Sequence, residues 1–102
     1  MQFLVIAYDG KDNEAPARRV AARSSHLEGV EAFKAQGKHL YGAAILDDAG
    51  NMIGSMMVVE FDSRQALERE WLGSEPYVTQ GVWRQIDIQP CRVPPVFGAA
   101  VR

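Results

Sequence analysis

The stretch NMIGSMMVVEF, residues 51–61, is apolar in both registers of a strand: Ile53, Met57, Val59 and Phe61 fall on one face, Met52, Met56 and Val58 on the other. Residues 2–8, QFLVIAY, repeat the pattern, with Phe3, Val5 and Ala7 opposing Leu4, Ile6 and Tyr8. A sheet built from such strands must be covered on both sides, because an exposed apolar face of this size exceeds what soluble monomers tolerate.

Punctuation along the chain supplies the rest of the architecture. The first run closes at Asp9-Gly10 and reads as a strand. Residues 14–36 carry a 3.6-residue period and stop at Gly37, which suits the left-handed residue after a helix. Residues 38–47 and 51–61 flank the turn-forming Asp48-Ala49-Gly50 and predict a β-hairpin. Ser63 is placed to cap a second helix through Leu72, ended by Gly73. In SEPYVTQG, Ser74 is the expected cap of a short turn with Pro76 early in it. A final strand, VWRQIDIQP, puts Val82, Ile86 and Ile88 on one face.

The order β-α-β-β-α-β is that of an α+β, ferredoxin-like fold, a four-stranded antiparallel sheet with two helices on one face. Two helices leave the other face bare, and an identical chain packed sheet to sheet is the simplest cover, so a homodimer is expected. The domain should span 1–90. The tail from 91 to 102 contains two adjacent prolines, cannot extend the last strand far, and is expected over an edge or a pocket mouth.

Charge and cysteine usage exclude several classes of function. A formal net charge of -2 with scattered basic residues gives no grip on a phosphate backbone, so nucleic acid is not an expected partner. The opening MQFLVIAYDG is too short an apolar run for a membrane span or a signal peptide. A single cysteine, Cys91, makes neither an internal disulfide nor a metal-binding pair, which fits a reducing cytoplasm. His26 and His39 have no paired-histidine spacing, so no metal and no cofactor are expected, and His39 at a strand start is expected to face solvent.

Three residues do not fit plain packing. His26 lies near the centre of the apolar face of the first helix, between Phe33 and Val30 and bordered by Leu27, with Arg19 and Arg23 on the same stripe. One account is a satisfied buried histidine with arginines reaching to solvent. The other is an anion-binding pocket in which His26 moves a proton. Ser55 shares a face with Ile53, Met57 and Val59, where a hydroxyl needs a partner, either through small-residue packing beside Gly54 or in a pocket. Glu75 either serves the dipole of a short helix or pairs with His26.

The stretches RVAARSSHL (19–27), GNMIGSMMVVEFDSRQAL (50–67) and SEPYVTQGVWRQIDIQP (74–90) together resemble the YciI-like (YCII-related) family. The resemblance implies a ferredoxin-like, dimeric α/β-barrel fold. It places the family's helix histidine on His26, its arginines on Arg19 and Arg23, the serine of its Gly-Ser strand on Ser55, and its acidic-Pro-aromatic motif on Glu75-Pro76-Tyr77. The family's usual aspartate is here a glutamate, one methylene longer. A histidine–aspartate pair in a pocket is taken as the family's active site, and a related member removes chloride from a chlorinated hydroxyhydroquinone. The resemblance thus implies a small cofactor-free lyase, isomerase or dehydrochlorinase-like enzyme acting on an anionic small molecule, aromatic ones included. In that reading His26 and Glu75 are catalytic and Arg19, Arg23 and Ser55 bind substrate. The alternative is a non-catalytic anion-binding or structural dimeric domain.

Overall fold

Two-faced strands fold here into one sheet whose inner face is sealed by helices. The computed structural model describes residues 1–97. Strand β1 is Gln2–Asp9, helix α1 Ala15–Ala35, β2 His39–Leu46 and β3 Met52–Glu60. Helix α2, Arg64–Leu67, runs on into a π-helical turn at Glu68–Leu72, followed by the short helix α3, Pro76–Thr79, and by β4, Trp83–Cys91. The sheet order is β2-β3-β1-β4 with every neighbouring pair antiparallel, the ferredoxin-like α+β arrangement.

Local chemistry explains the boundaries. Pro16 sits in the first turn of α1, where its missing N–H costs nothing. At the other end Gly37 takes φ +74, and the N–H groups of Lys38 and Gly37 donate to the carbonyls of Phe33 and Lys34. These are the two bonds of a Schellman cap. In the β2–β3 turn, Asp47 Oδ1 accepts the backbone N–H groups of Ala49 and Asn51, each at 2.9 Å, while Gly50 supplies φ +88. Ser63 caps α2 by accepting the Ala66 N–H at 3.0 Å. The expected helix through Leu72 forms, but its second half is π-helical, a register that often marks functional sites.

The core lies between the inner sheet face and the helices. Phe3, Val5 and Ala7 of β1 and Met57 and Val59 of β3 pack with Ala22 of α1, Leu67, Trp71, Tyr77 and Val82. Gly54 is required where β3 crosses β1, since a Cβ there would lie 2.4 Å from the Ala7 carbonyl oxygen. On the outer face Leu4, Ile6, Met56 and Val58 are half-buried, and Tyr41 and Met52 are 59% and 43% exposed. β4 departs from this pattern by carrying Gln85, Asp87 and Gln89 opposite Tyr8, Ile6 and Leu4. The apolar outer patch is therefore centred on β1, β3 and β2. Beyond β4, the Val93 N–H donates to Gln2 Oε1 at 2.7 Å and Val96 and Phe97 are exposed. Of the tail discussed above, residues 98–102 lie outside the described residues.

One expectation fails at His39. It does not face solvent but is 3% exposed, stacked on Phe33 at 4.8 Å and edge-on to Trp71 at 4.7 Å. The cause is a register shift between His39 and Tyr41, which leaves both His39 and Leu40 buried where simple alternation would bury one. Neither ring nitrogen has a hydrogen-bond partner among the described residues. Burial therefore lowers its pKa to about 4 from 6.5, with neighbouring His26 adding to the drop and Glu75 opposing it.

A proton then binds the unfolded chain more readily than the folded one between those two values. The stability due to neutral His39 is complete above pH 6.5 and is lost as pH falls towards 4, for a total of roughly 3 kcal/mol. Urea unfolding measured across this window should show that loss. His39→Phe, which keeps the aromatic packing, should flatten the slope by about the same amount.

Candidate active site

Three separate elements bring the site together. Helix α1 presents Arg19 and His26 inward one above the other, because positions seven apart lie on one helical face. The π turn presents Trp71, and the start of α3 presents Glu75 and Tyr77. Ser74 is not the cap of α3, as the sequence suggested; it reaches only back to the Trp71 carbonyl at 3.4 Å. Glu75 takes the capping position, with extended backbone angles and its own carboxylate accepting the Tyr77 N–H at 3.1 Å. Pro76 follows as the first helical residue, which fixes the turn.

The Glu75 carboxylate is 3% exposed and takes three donors. Oε1 faces His26 Nδ1 at 2.5 Å and the Tyr77 N–H, and Oε2 accepts the Trp71 indole N–H at 2.8 Å. Burial by itself pushes this carboxyl up and is the largest single influence on it. The His26 hydrogen bond and charge, with the Trp71 and Tyr77 donors, outweigh it and hold the group below the usual glutamate range. Glu75 is thus an anion in the folded protein. Nε2 of His26 has no hydrogen-bond partner among the described residues, and the ring is fixed by face-to-face stacking on Tyr77, centroids 3.9 Å apart at 11°, and by the edge of Trp83.

A second buried network lies alongside. Arg19 Nη1 bonds both oxygens of Asp9, at 2.9 and 3.0 Å, and Nη2 donates to Ser55 Oγ at 2.9 Å. The Trp83 indole donates to the same oxygen at 3.2 Å. Arg19 also lies over the Tyr77 ring, 4.8 Å from its centroid. Burial holds the Asp9 carboxyl above its usual range, against the pull of the Arg19 bonds and charge.

Between α1 and the β2–β3 pair opens a cavity of about 220 Å³. His26, Ser55, Tyr77 and Arg23 reach it, and Met52, Met56, Met57, Leu27 and Val30 give it soft apolar walls. Arg23, one turn beyond Arg19, is exposed and makes no hydrogen bond or ion pair among the described residues. All five residues singled out in the sequence, Arg19, Arg23, His26, Ser55 and Glu75, therefore meet around one space. Glu75 stands behind His26, and Arg19 lines the cavity beside Ser55. Three participants had not been picked out: Trp71, Trp83 and Asp9. Nothing in the spacing marks the tryptophans, which read as ordinary apolar positions. Among the described residues no cluster of histidine, cysteine, aspartate and glutamate could hold a metal.

With this geometry in view, comparison with protein families is decisive. The model of the YCII-related domain matches residues 1–92. The chain belongs to the YCII-related family. Among solved structures it is similar to the 5-chloro-2-hydroxyhydroquinone dehydrochlorinase TftG of Burkholderia phenoliruptrix AC1100, in complex with 2,5-dihydroxybenzoquinone. That match has a TM-score of 0.76 and 22% identity over 90% of this chain and 94% of that one. Rv0793 of Mycobacterium tuberculosis follows with a TM-score of 0.62 and 14% identity over 93% and 99%. PA3566 of Pseudomonas aeruginosa has a TM-score of 0.55 and 16% identity over 90% and 93%. At these identities the likeness is one of fold, and it agrees with the family's dimeric α/β-barrel class. Comparison with curated proteins gives no match. No helix among the described residues is long and apolar enough to cross a membrane.

The triple bonding of Glu75 makes a specific prediction. In Glu75→Gln the amide must turn an N–H group towards one of three N–H donors, leaving buried groups unpaired at a cost of about 1–3 kcal/mol. Because the folded-state pKa of Glu75 lies below its unfolded value, the anion stabilises the fold above the unfolded value and this is lost as pH falls through the lower one. Urea denaturation should therefore find the variant less stable at neutral pH, with the gap narrowing in acid.

Proposed function

We propose that this YCII-related protein is a small cofactor-free enzyme in which His26 transfers a proton to and from an anionic small molecule, aromatic ones included. The observation that carries the reading is the buried His26–Glu75 pair, with Nδ1 on the carboxylate and the ring in the cavity lining. An anion on Nδ1 fixes the tautomer and stabilises the imidazolium, which is what a general base requires. Glu75 orients it, its own second oxygen being held by the Trp71 indole. Arg23 supplies the free positive charge for a carboxylate or phenolate. Arg19 acts through Ser55. The fold neighbour TftG, a dehydrochlorinase bound to a dihydroxybenzoquinone, supports a lyase- or isomerase-type reaction on a small ring.

Incubation with hydroxylated quinones and phenolic acids, followed by chromatography of the products, tests the activity. Once a substrate is found, His26→Ala should lower turnover by about a hundredfold or more, as loss of a general base does, while the variant stays folded. Retained turnover would remove His26 from the chemistry. Tight binding with no product across the series would favour the anion-binding module instead.

The same reading includes a homodimer, acting in a reducing cytoplasm where the lone Cys91 stays a thiol. The half-buried Leu4, Ile6, Met56 and Val58, with exposed Tyr41, form the apolar patch that a second copy would cover. Sedimentation should give twice the chain mass. Val58→Asp, which would place a charge in that interface, should weaken association at least tenfold, as loss of a central contact does. A folded monomer at all concentrations would exclude the dimer.

A further inference from the structure

A serine hydroxyl has one hydrogen to donate and two lone pairs that accept. At Ser55 both lone pairs are taken, one by Arg19 Nη2 at 2.9 Å and one by the Trp83 indole at 3.2 Å. The two partners have no alternative role, since neither a guanidinium nor an indole N–H can accept. Ser55 makes no hydrogen bond as donor among the described residues, it is 5% exposed, and it lines the cavity that His26 faces. The hydroxyl hydrogen is thus left without an acceptor among the described residues, in a side chain that borders the cavity. Arg19 is itself immobilised by Asp9, with which it is buried, so the arrangement does not relax by rotation of a free side chain.

We infer that Ser55 is a polarity-locked donor for a developing oxyanion, and that the substrate belongs to the class of small molecules that ionise to an enolate or phenolate. The inference rests on the proposed role of His26 for its chemistry but on Ser55 alone for its recognition. His26 Nε2 takes a proton from a C–H or O–H of the substrate. The electron pair left behind moves to the substrate oxygen, and that oxygen gains negative charge opposite the Ser55 O–H. The imidazolium formed is held by the Glu75 anion and returns its proton when the enolate is quenched, so no oxidant, reductant or further reactant is consumed. The other side-chain polar groups at the cavity that have no partner among the described residues suit the same ligand: Arg19 Nε and Arg23 only donate, and the Tyr77 hydroxyl is able to donate. A pocket of donors with one base selects an acceptor-rich anion and rejects an amine or amidinium of equal size, because donors facing donors stay unpaired. Trp83 and Arg19 are positioning residues that set the hydroxyl's direction.

4-Nitrophenol is a suitable probe because its ionised form absorbs in the visible. Binding to the wild-type protein should favour the phenolate, seen as a fall in the pKa of the bound dye and growth of the phenolate band on titration. Ser55→Ala should weaken phenolate binding about tenfold or more and cancel most of the fall in dye pKa, as loss of a hydrogen bond to a charged group does. Trp83→Phe should give a smaller loss of the same kind, since it frees one lone pair and lets the hydroxyl turn. His26→Ala should keep the preference for phenolate over the neutral dye although it removes proton transfer, which separates this inference from the catalytic reading. Because Ser55→Ala strands two buried donors and could unfold the chain, a neutron structure of the deuterated wild type gives an independent reading, with the Ser55 O–D expected to point into the cavity. Preference for the neutral dye, absence of dye binding, indifference to Ser55→Ala, or an O–D aimed at a protein acceptor would each overturn the inference.

Discussion

One buried carboxylate holds the functional half of the molecule together. Glu75 gathers a ring nitrogen from α1, an indole from the π turn and a backbone N–H from α3, so three segments that share the core are also fastened at one polar point. Desolvation works against such an anion more than any other single influence, and only the sum of its partners reverses the balance. Each donor lost moves that balance towards the protonated acid, and so away from the negative charge behind His26. Structure and candidate chemistry thus depend on the same three bonds.

The Asp9–Arg19–Ser55–Trp83 network follows the same logic with the signs exchanged. Here a buried cation is neutralised by a buried acid, and its second terminal nitrogen is spent on a hydroxyl, while Nε has no partner among the described residues. The contrast with Arg23, one helical turn away, is instructive. Both arginines lie on one stripe, yet the first is enclosed and structural in its contacts while the second is exposed at the cavity. Burial rather than residue type separates a side chain that shapes a site from one that can meet a ligand.

Much of this was legible in the sequence. Glycines and acidic turns marked the element ends, and the alternation in β1 and β3 gave both sheet faces, because these are local signals carried by a few adjacent residues. The site residues were legible as oddities, a histidine on a packing face and a serine among methionines. Their partners were not. Trp71 and Trp83 look like core residues and are core residues; that their indole N–H groups also hold Glu75 and Ser55 follows from tertiary geometry alone. His39 was misread because a register shift in β2 breaks the alternation on which the reading relied. Ser74 was misread because a glutamate seldom caps a helix with its own side chain, and here its capping bond is a by-product of binding His26.

The position of β1 has a consequence for how the chain acquires this structure. This strand precedes the other three strands of the sheet in the chain yet sits in the middle, paired on one side with β3 and on the other with the distant β4. Its inner face, Phe3, Val5 and Ala7, stays without its final cover while most of the protein is synthesised, and closure of such distant pairs is slow. Trp83, which fixes the Ser55 hydroxyl, belongs to that last strand. A nascent chain would therefore hold a sticky, half-paired sheet edge until β4 emerges, the condition under which chaperones are engaged, and the cavity would acquire its polarity only in the final step of folding.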